Sequence, residues 1–174
     1  MARKFLAGIF GVVAVLAVQS GAQAQTSDSQ TFNVVVPSVL SITAPPDISI
    51  NHDQSDANQV FPAQGWLAKS NNGIGATVSF STATEFRATV GATTYSRNAQ
   101  MNLGVGSAEA GSGWATVVSS ATATSAAPVA TVSAASSAPG DGTLNLTMTF
   151  VDSDFSLLPA ATFSTTVTAT ITAN

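Results

Sequence analysis

Two stretches near the C-terminal end alternate between apolar and hydroxyl-bearing residues more regularly than any other part of the chain. In residues 143–150, Leu144, Leu146, Met148 and Phe150 share one face, and Thr143, Asn145, Thr147 and Thr149 share the other. In residues 163–173, Phe163, Val167, Ala169 and Ile171 alternate with Ser164, Thr166, Thr168, Thr170 and Thr172. Successive side chains of a strand point to opposite faces, so this period of two predicts two strands with one apolar face each. A pair of such strands cannot cover its own apolar face. A second sheet, carrying Trp66, Phe80, Trp114 or the first strand, has to close over it.

The rest of the chain carries shorter runs of the same kind. Phe32, Val34 and Val36 fall on one face of residues 31–43. The phase slips after Pro37, where Val39 is followed by Leu40 and Ile42. Proline donates nothing to a ladder, so this stretch predicts an edge strand kinked at Pro37 and Ser38. Pro45 and Pro46 break the chain, residues 48–50 predict a short strand, and the polar, acidic residues 51–64 predict a loop anchored by Val60 and Phe61. Residues 66–70 and 76–80 flank Asn71-Asn72-Gly73, which predicts a hairpin. Residues 86–90, 101–105 and 114–118 are further short runs. Residues 119–139 are almost entirely Ser, Ala, Thr, Val and Pro. There, Val129, Thr131 and Ser133 alternate with Ala130, Val132 and Ala134, predicting one weak strand. No segment after the first 24 residues has a capped helical period. About eight to ten strands at fairly regular spacing predict an all-β, antiparallel, two-sheet β-sandwich.

The beginning of the chain changes the expected compartment. Arg3 and Lys4 precede an apolar run over residues 5–18, and Ala22-Gln23-Ala24 offers the small residues that a signal peptidase needs. Residues 1–24 are therefore expected to be a cleaved signal peptide, and residues 25–174 a single domain exported to the cell exterior or surface. The competing reading is a membrane anchor, but the apolar run falls short of the roughly 20 residues that span a bilayer.

Of five basic and nine acidic residues, Arg3 and Lys4 leave with the leader, so the expected mature net charge is 3 − 9 = −6. That argues against nucleic acid and anionic membrane as partners, because both require clustered Lys and Arg. The chain has no cysteine, so packing or assembly must supply the stability that disulfides give many exported domains.

Candidate chemistry is sparse. His52, Asp53 and Asp56 form the nearest approach to a catalytic or metal cluster, but one histidine is too few for a zinc site, and no Gly-x-Ser-x-Gly elbow is present. A solvated loop is the simpler expectation. Asp152 and Asp154, with Asp141 in the turn before the first strand, offer oxygen ligands of the kind Ca²⁺ takes, without the glycine and distal glutamate of an EF-hand loop. Gly104, Gly106, Gly111 and Gly113 do not make a phosphate loop, since no lysine and no helix follow. Trp66, Tyr95 and Trp114 are candidates for stacking on a sugar, with core duty as the competing use of both tryptophans. Phe32, Val34 and Val36 are candidates for a strand donated to the open sheet edge of a neighbouring copy.

The alternating N-terminal strand, the Thr/Ser/Ala-rich body and the ending from Phe163 to Asn174 (FSTTVTATITAN) resemble small secreted bacterial β-sandwich surface proteins, among them pilin-like and spore-coat-like domains. The cysteine pair typical of chaperone–usher pilins is absent. The resemblance implies an immunoglobulin-like sandwich with a structural or adhesive role and no catalytic residues to carry over. The expectation is thus a non-enzymatic secreted structural or cell-surface subunit that self-associates by strand exchange. The alternative is an extracellular carbohydrate-binding or adhesin module that recognises polysaccharide or another envelope component. A hydrolase is the third reading, for which no paired acid and base is present.

Overall fold

The computed structural model describes residues 27–174, so the expected signal peptide lies outside the described residues. Eleven strands follow one another: β1 Leu40–Thr43, β2 Gln59–Val60, β3 Gln64–Ser70, β4 Ala76–Thr82, β5 Phe86–Val90, β6 Thr93–Ala108, β7 Ala115–Val118, β8 Ser120–Ala123, β9 Thr131–Ala135, β10 Gly142–Val151 and β11 Val167–Ala173. The 3₁₀ turn Phe155–Leu157 is capped by Asp154. The described residues contain no α-helix, and so none long and apolar enough to cross a membrane.

The strands form two antiparallel sheets. The first has the order β1-β3-β10-β6-β5, with β2 also pairing β10 and β8 also pairing β6. The second has the order β11-β4-β9-β7. Their inner faces meet in one core, where Val78, Phe80, Met101, Val132 and Leu144 are fully buried. Trp66 on β3 meets Phe80 on β4 edge to face at 5.3 Å, joining the sheets. Phe61, Phe86, Phe150 and Phe163 form a second aromatic cluster, with ring centroids 5.3–5.8 Å apart between successive members.

The C-terminal alternation holds in part: the second strand begins at Val167 rather than Phe163, and on β10 Thr149 is buried while Met148 is only half-buried. Leu144 and Leu146 point inward on β10, and Val167, Ala169 and Ile171 are half-buried on β11 while Thr168, Thr170 and Thr172 are exposed. The two strands nevertheless belong to different sheets, and residues 152–166 carry the chain across between them. Each covers the other's side of the core, which meets the need for a second layer.

The hairpin expected around Asn71-Asn72-Gly73 is corrected. β3 pairs with β1 and β10 on its two sides, so it has no free edge for β4, which pairs with β11 and β9 in the other sheet. Residues 71–75 form an arch between sheets. The Gly75 amide donates to the Asn72 carbonyl (2.9 Å), and Gly75 takes a φ of +82°. A Cβ there would lie 2.1 Å from the Ser136 carbonyl oxygen. Gly75→Ala is therefore expected to lower stability by about 2–3 kcal/mol in urea unfolding, because both the left-handed backbone and the contact oppose it. Gly73→Ala, with nothing near its Cβ position, is the control and should stay within about 0.5 kcal/mol.

The edge strand expected over residues 31–43 is shorter than its pattern. Only Leu40–Thr43 joins the ladder. Asn71 takes over beyond it: its side-chain oxygen accepts from the Val39 amide (2.7 Å), and its side-chain nitrogen donates to the Pro37 carbonyl (2.7 Å). Pro37 has no amide with which to extend the pairing. Phe32, Val34 and Val36 therefore belong to no strand. Other boundaries also move. Residues 48–50 form no strand, β2 lies within the expected loop, and the run at 101–105 is the middle of the sixteen-residue β6.

Charge is distributed unevenly. β4, β7, β9 and β11 contain no charged residue. The outer face of their sheet presents rows of hydroxyls, Thr168–Ser81–Thr131 and Thr170–Ser79–Ser133, set by the strand registers.

Candidate functional site

Three basic residues lie among the described ones, and each meets an acid. Lys69 Nζ sits 3.1 Å from Asp141 Oδ2, Arg87 Nε 3.1 Å from Glu85 Oε1, and Arg97 Nε 2.9 Å from Asp152 Oδ1. The first pair is half exposed and worth little. The other two hold carboxylates that are buried.

Asp152 anchors the more elaborate of these. It directly follows β10, and its side chain is fully shielded from solvent. Oδ1 accepts from Arg97 Nε and from the amides of Ser153 (2.9 Å) and Asp154 (3.3 Å). Burial by itself would raise the carboxyl's pKa. The Arg97 hydrogen bond and the two amides outweigh it and hold the group below its usual range.

Oδ2 faces His52 Nε2 at 3.5 Å without an aligned hydrogen bond. His52 stacks on Phe155 at 5.2 Å and meets Phe150 edge-on at 5.9 Å. Its Nδ1 accepts from the Gln54 amide at 3.0 Å, so the neutral ring carries its proton on Nε2, toward Asp152. In a catalytic triad the second ring nitrogen must take a nucleophile's proton. Here the Gln54 amide occupies that position.

The expected grouping of His52 with Asp53 and Asp56 therefore changes. Asp53 Oδ1 stays 3.9 Å from His52 Nδ1 but accepts its hydrogen bonds from Ser55 and Gln59, and Asp56 accepts from the Phe155 amide at 2.8 Å. With Asn58 Oδ1 accepting from the Asp152 amide (3.0 Å), these bonds pin the 51–58 loop onto the end of β10. The loop is solvated as expected over most of its length, with only His52 and Ser55 half-buried, and it is also tied down at Asp56 and Asn58.

The Ca²⁺ grouping is corrected by distance. Asp141 precedes the ten-residue β10 and Asp152 follows it, which separates them by roughly 30 Å or more at ~3.3 Å per residue. Asp141 is engaged by Lys69, and Asp154 caps the 3₁₀ turn. Among the described residues, no group of three or more histidine, aspartate or glutamate side chains is arranged to hold a metal ion.

The three aromatic candidates also separate. Trp66 packs on Phe80. Trp114 is buried, its indole nitrogen donating to the Gly140 carbonyl at 3.2 Å and its ring lying over Gly142. Both serve the core. Tyr95 is half-buried on β6 opposite Ala88 of β5, beyond the end of β6 that pairs with β10. Tyr95 thus lies past the Val151 end of β10, whereas Trp114, just before β7, packs at its Gly142 end, and the two rings are far apart.

An open groove of about 410 Å³ lies at the arch end, lined by Val39, Lys69, Asn71, Glu109, Gly140 and Asp141. The Glu109 carboxylate accepts from the Asp141 amide (3.1 Å), and Lys69 is committed to Asp141, so its charged groups are already satisfied from within.

The last candidate is the N-terminal segment. Phe32, Val34, Val35 and Val36 are 83%, 88%, 89% and 74% exposed. Four large apolar residues among five consecutive positions, all exposed, are costly at roughly 1.5–3 kcal/mol of unrealised burial each. No family model, no curated protein and no solved structure matches this chain.

Proposed function

We propose that the chain is an exported structural or cell-surface subunit, an immunoglobulin-like sandwich after removal of residues 1–24, which assembles with its own copies by strand addition. The exposed run Phe32, Asn33, Val34, Val35, Val36 carries this reading. It has the composition and alternation of a strand, lies outside the sandwich ladder, and is separated from edge strand β1 by Pro37, Ser38 and Val39. Main-chain pairing with another copy would bring affinity, and burial of Phe32, Val34 and Val36 would set the register. The hydroxyl-covered, uncharged outer face of the second sheet suits a molecule that works as a surface.

The test is removal of residues 25–36 from the mature chain. Size-exclusion chromatography and electron microscopy of the intact protein should find high-mass assemblies, and the shortened protein should elute as a monomer with an unchanged β-type circular dichroism spectrum. An intact protein that stays monomeric at millimolar concentration sinks the reading.

A further inference from the structure

We infer that the donated segment is received at the seam between β1 and β11, where residues 32–36 of a second copy pair with the free edge of β11. This rests on the strand-addition reading and adds the acceptor. β11 is the edge of the second sheet, and its seven-residue register with β4 runs from Val167 opposite Thr82 to Ala173 opposite Ala76 without a slip. Its inward residues Val167, Ala169 and Ile171 are only half-buried. Across the seam, Leu40 and Ile42 of β1 are half-buried too. The two strands pack against each other but share no ladder. The apolar row Val167, Ala169 and Ile171 is therefore only partly covered along this line, with the small Ala169 between two larger residues.

The other edges offer a visitor less: β2 and β8 are only two and four residues long. β7 slips register between Thr116 and Val118, a bulge that bends an edge away from further pairing. β5 exchanges two backbone hydrogen bonds with Ser164, at 3.0 and 2.9 Å through Arg87. β1 offers four residues only.

The segment's own copy is a poor occupant. To lie along β11 it must reverse direction at residues 37–39, which are held to Asn71 by three hydrogen bonds of 2.7–3.1 Å. A second copy meets no such constraint. Because donor and acceptor are different surfaces, the contact is head-to-tail and builds rings or open chains rather than a closed two-fold dimer.

The absence of cysteine makes the test clean. Val34→Cys protein is mixed with an equal amount of Ala169→Cys, Thr116→Cys or Thr89→Cys protein, and each mixture is treated with a short thiol-reactive crosslinker. The Ala169→Cys mixture should give roughly tenfold more heterodimer than either control, since pairing raises the local thiol concentration. Assemblies that crosslink preferentially through Thr116→Cys or Thr89→Cys overturn the seam and leave strand addition standing. Crosslinking within a monomeric Val34→Cys/Ala169→Cys chain assigns the seam to its own segment and overturns the exchange. Failure of the unsubstituted protein to assemble overturns strand addition itself.

Discussion

Replacing Arg97 with Met is expected to destabilise the fold by about 3 kcal/mol, far more than loss of a surface ion pair would. The Asp152 side chain has no contact with solvent, and its Oδ2 already lacks an aligned donor. Without the guanidinium, the carboxylate keeps two backbone amides but no compensating charge. Asp152→Asn should cost less, since its carbonyl can still accept from Ser153 and Asp154. The double variant should cost less than the two single changes summed, by about 1–3 kcal/mol, because the buried charge that penalises the first change is gone. Urea unfolding of the four proteins reads this directly.

The pH dependence has a definite sign. The folded-state pKa of Asp152 lies below its ordinary value of 3.8. Its stabilisation is therefore present above the unfolded value and is lost as pH falls through the folded one. The gap between the parent and Arg97→Met should be full at pH 7 and should narrow below about pH 4. A gap that is constant from pH 7 to pH 3 would show that Arg97 acts by packing alone.

Phe80→Ala should cost about 3–5 kcal/mol, the range for emptying a large aromatic site. Phe80 is fully buried at the centre of β4, pairs with Ala169 and Val132 in register, and supports Trp66 from the opposite sheet. Its neighbour Ser79 faces outward between Thr170 and Ser133, and Ser79→Ala should shift stability by no more than about 0.5 kcal/mol. The contrast between adjacent residues tests the inward–outward assignment of the second sheet. Comparable costs at both positions would refute it.

Some features were legible along the chain because they depend only on near neighbours. The all-β class followed from the period of two in residues 143–150 and 163–173, and the weak alternation at 129–134 was enough to find β9. Local signals failed where long-range partners decided the outcome. Asn71-Asn72-Gly73 has hairpin chemistry, yet β3 was already paired on both sides, and Asn71 was needed to hold Pro37 and Val39. His52 and Asp152 are a hundred positions apart. Asp152 was noticed as a candidate oxygen ligand, but nothing local marks it as the partner of Arg97 and His52. The one hint was scarcity: with three basic residues after position 24, any buried carboxylate had few cations to choose from.

Alternation, turn residues and the near-absence of charge determined by themselves that this chain makes strands with one greasy and one hydroxylated face, because side-chain direction in a strand is a property of the backbone alone. Which strands share a sheet, which carboxylate meets Arg97, and which edge stays open were decided only by the tertiary structure. Each of those depends on competition among distant segments for the same hydrogen-bonding edges and the same limited core volume.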